Sequence, residues 1–499
     1  MHKFLLALRT VCHLKPIQVI NRISRKFLPK GAQTANEVAE PLPEFTFLNQ
    51  TARPNGWNDP TLPKLWLYNL HYFEYLNEAQ VEERGRQWKE NLILRWIKEN
   101  PKGCGNGWEP YPISLRVVNW IKWLGVEWRR SRSSCEVDGG GEKKGEEEIR
   151  RSLAEQVEWL SNRLEYHLLA NHLLANAKAL LFAGVALGVE KWYRKGLSIY
   201  RKELPEQICA DGVHFERSAM YHSIILEDVL DCVKVVGDQR FLRDYAEKML
   251  AGLELLTGPD GKIVKFNDAA DGIAKSPAEL LAYARELGLT PVASPSSRDS
   301  GFARITRGTR CLVAKCGPIG PDYQPGHAHA DTGSFELWNG DVKIVTDTGT
   351  DRYVVDAERK RQRGTAAHNT VMIDGRDSSE VWAGHRVARR AKSEGWSVDG
   401  ASLALAYRDY SGFRIRRTLE LTEDGVRGAD EIRGSGEHEI ELRWHFAPGQ
   451  NAQIRCEQGA VSLEPAMICE EFGKQSESRV AIVRVKTTLP TTVRWVVLI

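Results

Sequence analysis

Charge of one sign is what this sequence most plainly lacks. Its 69 Lys and Arg stand against 66 Asp and Glu, a formal net charge of +3 over 499 residues. No chain-wide field therefore marks it for nucleic acid or for a charged membrane surface. Long apolar runs are missing too. The first candidate, Phe4 to Leu8, is cut by Arg9, and basic residues return at Lys15, Arg22, Arg25 and Lys26. A secretory signal needs roughly 7–15 apolar residues and a small-residue cleavage site, and a membrane span needs ~20. Residues 1–45 read instead as a basic amphipathic segment, whose expected use is peripheral contact with a surface. Cysteine is present but unorganised. The nine (Cys12, Cys104, Cys135, Cys209, Cys232, Cys311, Cys316, Cys456 and Cys469) are scattered, odd in number and free of any C-x-x-C pair. That excludes a disulfide framework and a cysteine-based zinc site. It predicts a reducing cytoplasm, with a periplasmic location or non-classical export as the alternative.

The length calls for two or three domains, and 42% hydrophobic with 27% charged residues is a globular mixture. Helical periodicity fills residues 46–290. Apolar residues recur at three- and four-residue spacing in Ile113 to Leu124, Leu153 to Leu169, Leu173 to Leu187 and Ile224 to Val236. Within this α/α array, residues 131–151 are polar, glycine-rich and charge-clustered, the composition of a flexible surface insertion. Residues 291–300 are a linker by composition. From 301 to 499 the period changes to two: Phe335 to Val345 alternates around Asn339-Gly340, and Arg414 to Leu421, Ile440 to Phe446 and Val480 to Val485 alternate as well. Helices first and antiparallel strands afterwards predict an α+β multidomain chain ending in a β-sandwich.

Fifteen Trp are distributed ten before residue 200 and five after residue 300. Trp120, Trp123 and Trp159 read as core. Trp57, Trp66, Trp108 and Tyr111, beside Gly, Pro and Asn, suit an exposed stacking platform for sugar faces as well as they suit a core. Histidine is sparse, thirteen in all, so its clusters carry information. Asn171-His172 opens a helix, where Asn171 fits an N-cap and His172 pairs with Asn176 on one face. Glu216 and Tyr221 lie near the start of another helix. The strongest cluster is Gly326-His327-Ala-His329-Ala-Asp331, followed by Asp347 and by His368-Asn369. Two neutral imidazoles and a carboxylate make a suitable zinc set. A polar hairpin end with hydrogen-bonded histidines accounts for the pattern equally well. Strict pairing about Asn339-Gly340 sets Asp347 opposite Thr332, the wrong parity for His329, unless a bulge intervenes or His329 precedes the strand.

The combination resembles the heparinase II/III-like polysaccharide lyases, a group that includes alginate lyases. The resemblance covers most of the chain after residue 60. It rests on Asn171-His172, Tyr221, Gly326 to Asp331 with Ser334-Phe335, Thr346-Asp347-Thr-Gly349, Ala367 to Gly375 and Ser379 to Trp382. It implies an incomplete α/α toroid followed by an antiparallel β-sandwich, and β-elimination at a uronic acid residue without an organic cofactor. By carry-over, Asn171 and His327 would neutralise the substrate carboxylate, with His172 in the same pocket or acting as base. Tyr221 would take the C5 proton, protonate the leaving O4, or do both. His329, Asp347 and His368 match the family's positions for a structural Zn2+. Glu216, Trp108, Tyr111, Arg363 and Arg386 would contact an acidic polysaccharide or oligosaccharide. The chain looks like the subgroup associated with bacterial surface-polysaccharide assembly, so a non-catalytic carbohydrate-binding protein on the same fold is the second reading. A glycoside hydrolase, the third, needs two carboxylates flanking the bond, and no pair is as well placed.

Overall fold

The computed structural model describes residues 2–28, 41–77, 85–125, 142–237, 239–292 and 299–499. They form two compact units, a helical one of Lys15–Leu204 with Asp231–Leu242, and a strand-rich one of Met1–Leu14, Pro205–Leu230 and Arg243–Ile499. Residues 205–230 and 243–290, helical by period, group with the strands in the second of these units. Among the described residues no helix is long and apolar enough to cross a membrane.

In the helical unit, Pro110–Trp123 starts on a proline, whose missing N–H costs nothing in a first turn. It buries Ile113, Val117, Trp120 and Ile121. Ala170–Ala186 is apolar nearly all round and is buried accordingly. The helix expected over Leu153 to Leu169 runs instead over Glu142–Ser161. Asn162 closes it by donating Nδ2 to the Glu158 carbonyl. The apolar period continues past that stop because Leu164 and Leu169 are buried from a turn. Residues 131–141 of the expected insertion lie outside the described residues. Residues 142–151 are helical, with Ile149 buried and Arg150 paired to Glu146 one turn back. Lys144, Glu147 and Arg151 are exposed on the helix's solvated face.

The strand-rich unit holds a four-stranded antiparallel sheet (302–307, 310–315, 335–339, 342–345) and an eight-stranded one. The larger sheet is ordered 392–399, 402–408, 414–421, 425–445, 474–498, 453–456, with 461–471 and 371–373 pairing on the long strands. Alternation does its expected work: Arg414–Leu421 buries every second residue. Phe335, Leu337, Leu405, Leu419, Ile440, Trp444 and Trp495 meet in one core. Trp495 stacks on Phe335 at 6.0 Å and meets Trp444 edge-on at 5.1 Å. The hairpin turns at Gly340-Asp341, since Asn339 pairs with Val342, and its register slips between Leu337 and Trp338. That bulge, with His329 lying before the strand, removes the parity conflict.

One buried ion pair joins this core to the loops above it. Arg417 holds Asp430 through two hydrogen bonds of 2.7 and 3.1 Å, and Trp495 Nε1 donates to the same carboxylate. Its Nη1 also donates to the carbonyls of Gly333 and Asn369, at the ends of the two histidine-bearing loops. Removing the carboxylate alone leaves a buried guanidinium uncompensated. Asp430→Ala is expected to lose about 3–5 kcal/mol of stability by denaturant titration, a loss of under about 1 kcal/mol counting against this role.

Candidate active site

The loop bearing His327 and His329 connects Lys315 to Phe335, and side chains from outside it fix its backbone. Asn267 Oδ1 accepts from the His329 N–H at 2.9 Å. Arg363 donates Nε and Nη2 to the Ala328 carbonyl, and Thr365 Oγ1 donates to that of Ala330. Asp331 is consumed by a fully buried ion pair with Lys315. Asn267 also donates Nδ2 to the carbonyls of Glu216, Arg217 and Ile319. Its φ of 59° and that of Arg217, 55°, are left-handed conformations that only such dense bonding holds in non-glycine residues.

Tyr221 enters from the first turn of Ala219–Val236, where Ser218 Oγ caps the helix by accepting from the Tyr221 N–H. Its ring lies flat on His327, centroids 3.7 Å apart and planes 14° apart. His327 Nδ1 is bonded to the Glu216 carboxylate, itself buried, so Nε2 is the nitrogen left for chemistry. The Tyr221 hydroxyl is 3.1 Å from that of Tyr353. Burial, and then the charge of Asp268, raise Tyr353 well above the ordinary phenol range, which keeps its hydroxyl protonated and able to donate. Arg359 stands 5.0 Å over the Tyr353 ring and grips Asp268 with two nitrogens, at 2.5 and 2.7 Å. Burial alone would raise Asp268. Arg359 and the His329 hydrogen bond outweigh it and hold the carboxyl ionised. His385 closes the group edge-on to Tyr353, its Nδ1 3.2 Å from the Gly326 carbonyl.

The expected zinc residues are adjacent. His368 Nδ1 meets Asp347 Oδ2 at 2.8 Å, His329 Nε2 meets Asp268 Oδ1 at 2.8 Å, and the two rings are 5.4 Å apart. Each imidazole is thus oriented by a carboxylate, and each keeps one buried nitrogen without a partner, Nδ1 of His329 and Nε2 of His368. That donor set fits a metal. Gly349 (φ +65°) supports the Asp347 loop, since a Cβ there would lie 2.5 Å from the Cys469 carbonyl. Among the described residues, the groups of three whose donor atoms lie within 4.8 Å of one another are different: Asp268, His327 and His385, and Asp351, Glu358 and Cys469. The first is tied to Arg359 and Glu216. The second is crossed by Gln362, Gln475, Arg352 and Arg361.

In the helical unit, Asn171 is buried as the second residue of Ala170–Ala186, and Leu169 occupies the cap position expected for Asn171. His172 lies 3.3 Å from Glu165, which also binds Asn176, and Tyr111 packs on the His172 ring at 4.6 Å. The stacking platform is overturned for three residues. Trp57, Trp66 and Trp108 are buried, their indole N–H groups donating to Glu99, Gln50 and Asn100. Trp108 is therefore core, not a substrate contact. Trp120 is fully buried, and Trp123 and Trp159 are half-buried. Arg363 is likewise spent on backbone carbonyls, and Glu216 on His327. Arg386 is exposed, its guanidinium over Trp382 at 4.9 Å. Asn267, Asp268, Tyr353, Arg359 and His385 escaped the sequence reading. Only His385, as one of thirteen histidines, carried a signal that could have found it.

Comparison with known proteins first defines the class. A crystal structure of heparinase III overlays with a TM-score of 0.69 at 18% identity, covering 89% of this chain and 79% of that one. The fold is the incomplete α/α toroid with an antiparallel β-sandwich. The pattern of the heparinase II/III N-terminus matches residues 148–284, and that of the heparinase II/III-like C-terminal part matches residues 290–460. The chain belongs to the heparinase II/III-like family. It is 26% identical over 344 residues to a heparin-sulfate lyase of Pedobacter heparinus, taking in 61% of this chain and 50% of that protein. It is 23% identical over 329 residues to one of Bacteroides stercoris, 58% of this chain and 48% of that protein. The chain thus spans about half the length of these curated relatives.

Two histidines beneath the site set its acid limit. His214 and His222 are fully buried, and burial pushes them down to about 4 and about 3. The unfolded chain protonates them near pH ~6.5, so their stability contribution is complete above that pH and is lost as the pH falls towards the folded values. Denaturant titration is expected to show about 1–2 kcal/mol less stability per histidine near pH ~5 than at neutrality. A flat profile across that range would contradict the assignment.

Proposed function

We propose that the protein is a polysaccharide lyase that cleaves a uronic-acid-containing glycan by β-elimination. The observation that carries this reading is the stack of Tyr221 on His327, with Glu216 holding Nδ1 and a second phenol 3.1 Å from the Tyr221 oxygen. The C5 proton beside a carboxylate is weakly acidic, and its removal places a second negative charge on the sugar. A free tyrosine near pKa ~10 is a poor base at neutral pH. A protonated Tyr353 donating to the Tyr221 oxygen favours the phenolate, and Arg359 lies within electrostatic reach of both phenols. Tyr221 then takes the C5 proton, the electron pair forms the C4–C5 double bond, the C4–O4 bond breaks, and Tyr221 returns the proton to O4. On a sugar of opposite C5 configuration, His327 Nε2 takes the proton and Tyr221 protonates O4. Asn171 and His172 are assigned to the substrate carboxylate, and Tyr111 and Arg386 to flanking sugars. The names of the curated relatives point to glycosaminoglycans as the substrate class. A reducing compartment belongs to the same proposal, consistent with eight free cysteines among the described residues.

The alternatives lose ground at particular residues. A binding module built on aromatic loops needed Trp57, Trp66 and Trp108 exposed. A hydrolase needs two available carboxylates, whereas Glu216 serves His327 and Asp268 serves Arg359 and His329.

With an acidic glycan supplied, ultraviolet absorbance of the unsaturated uronate is expected to rise. Tyr221→Phe should lower that rate at least ~10³-fold with an unchanged melting point, and a rate within ~10-fold of the parent sinks the assignment. Binding of glycans without new double bonds would favour the non-catalytic reading instead.

We assign zinc to His329 and His368, with the expected ligand Asp347 instead orienting His368 through its other ring nitrogen, the support being the two partnerless buried nitrogens. With His368 Nδ1 engaged by Asp347, Nε2 is the nitrogen left to it. When bound, the ion would add cross-linking between the loops. Elemental analysis is expected to give about one zinc per chain, and chelation to lower the melting point. Absence of both would leave the histidines as hydrogen-bonded loop residues.

A further inference from the structure

Fourteen large apolar side chains are exposed among the described residues, and eight of them fall between residues 4 and 27. They lie on two short helices, α1 (His2–Val11) and α2 (Pro16–Ser24), and on the turn after α2. In α1, Phe4, Leu5, Leu8 and Val11 recur at helical spacing and face water, Phe4 at 65% exposure. The side turned to the protein is largely polar: Arg9 pairs with Glu380, and Thr10 accepts from Trp382 Nε1 and donates to the Val387 carbonyl, with Leu6 buried beside them. Taken by itself, α2 repeats the pattern. Val19, Ile20 and Ile23 face outward, followed by Phe27 at 83% exposure. Gln18 is fully buried and donates to the Leu168 carbonyl, and Arg25 reaches His167.

Both helices are thus amphipathic in the inverse of the ordinary sense, with polar groups against the protein and apolar groups in water. The cost of exposing such stripes has to be recovered by something that covers them. The charge says what. Residues 1–28 contain Lys3, Arg9, Lys15, Arg22, Arg25 and Lys26 and no Asp or Glu, in a chain whose acids and bases otherwise nearly cancel. Apolar stripes in a segment whose own sequence carries only basic charge match the headgroup layer of an anionic bilayer, which accepts apolar side chains a few ångströms deep and draws cations to its surface. A soluble acidic glycan would satisfy the cations and leave the stripes exposed.

We propose that residues 2–28 are a peripheral membrane anchor, laying the apolar stripes of α1 and α2 into the surface of a bilayer containing anionic phospholipid. The lyase reading is not needed for this, and neither stands or falls with the other.

The test is flotation of the full chain with vesicles of phosphatidylcholine alone or mixed with phosphatidylglycerol. The chain is expected to float at least ~10-fold more with the anionic vesicles, and less as salt is raised. Replacing Phe4, Leu8, Ile20 and Ile23 by Ser should abolish flotation. The triple charge reversal Lys3→Glu, Arg22→Glu and Lys26→Glu should weaken it by ~100-fold or more, about five-fold for each charge removed and further for each charge introduced. All seven side chains are exposed, so melting points should not change. A chain that floats with neither vesicle overturns the proposal, as does flotation that survives both sets of substitutions. So does a dimer in sedimentation that the apolar substitutions dissociate without any lipid binding, which would assign the stripes to a second copy.

Discussion

Asp268 and its neighbour Asn267 form the junction on which the candidate site depends. The Asp268 carboxylate, wholly removed from water, is gripped by Arg359 and bonded to His329, while its own carbonyl accepts from Ser218, the residue that caps the Tyr221 helix. Asn267 ties down the turns before Tyr221 and the loop of His329. A buried charge is tolerable only when it is paired and fully hydrogen-bonded. The carboxylate's bonds come from two separate stretches of chain and the carbonyl's from a third, so satisfying one residue brings the stretches together. The positive φ of Asn267 is the strain accepted to place the pair.

The geometry proposed for proton transfer follows from that junction. Tyr221 can lie on His327 because the helix start and the loop are fixed by the same two residues. Arg359 and Arg363, four apart on a helix that Asp356 caps, divide the labour: the first holds Asp268 beside the tyrosines, and the second holds the Ala328 carbonyl between the two histidines. The histidine loop is therefore set by side-chain and backbone hydrogen bonds together, and a metal between His329 and His368 would reinforce an order that already exists.

Much of the fold was legible in the sequence because periodicity is a local property. Arg414–Leu421 emerges as a strand with the expected ends, and Pro110–Trp123 and Ala170–Ala186 as helices near the expected ones. Period misled where burial continued beyond a stop, as at Leu164 and Leu169. Composition misled where a charged, glycine-rich stretch ran on into a helix paired at four-residue spacing. The aromatic loops were ambiguous for a physical reason: a tryptophan beside Gly or Pro is core or platform according to what packs over it, and nothing in the local sequence says which.

By itself the sequence determined the order of helices before strands, the residues proposed for proton transfer, and the local excess of cations at the N-terminus, since each depends on residue type and spacing. Only the tertiary structure decided that Glu216 positions a histidine and Arg363 a carbonyl, where charge alone had suggested substrate contacts. It alone revealed Tyr353, Arg359 and Asp268 as parts of the site, and the apolar stripes of the first two helices as uncovered. Those are questions of which distant residues meet in a shared desolvated space, and the energy that answers them lies in the contacts, not in any single stretch of chain.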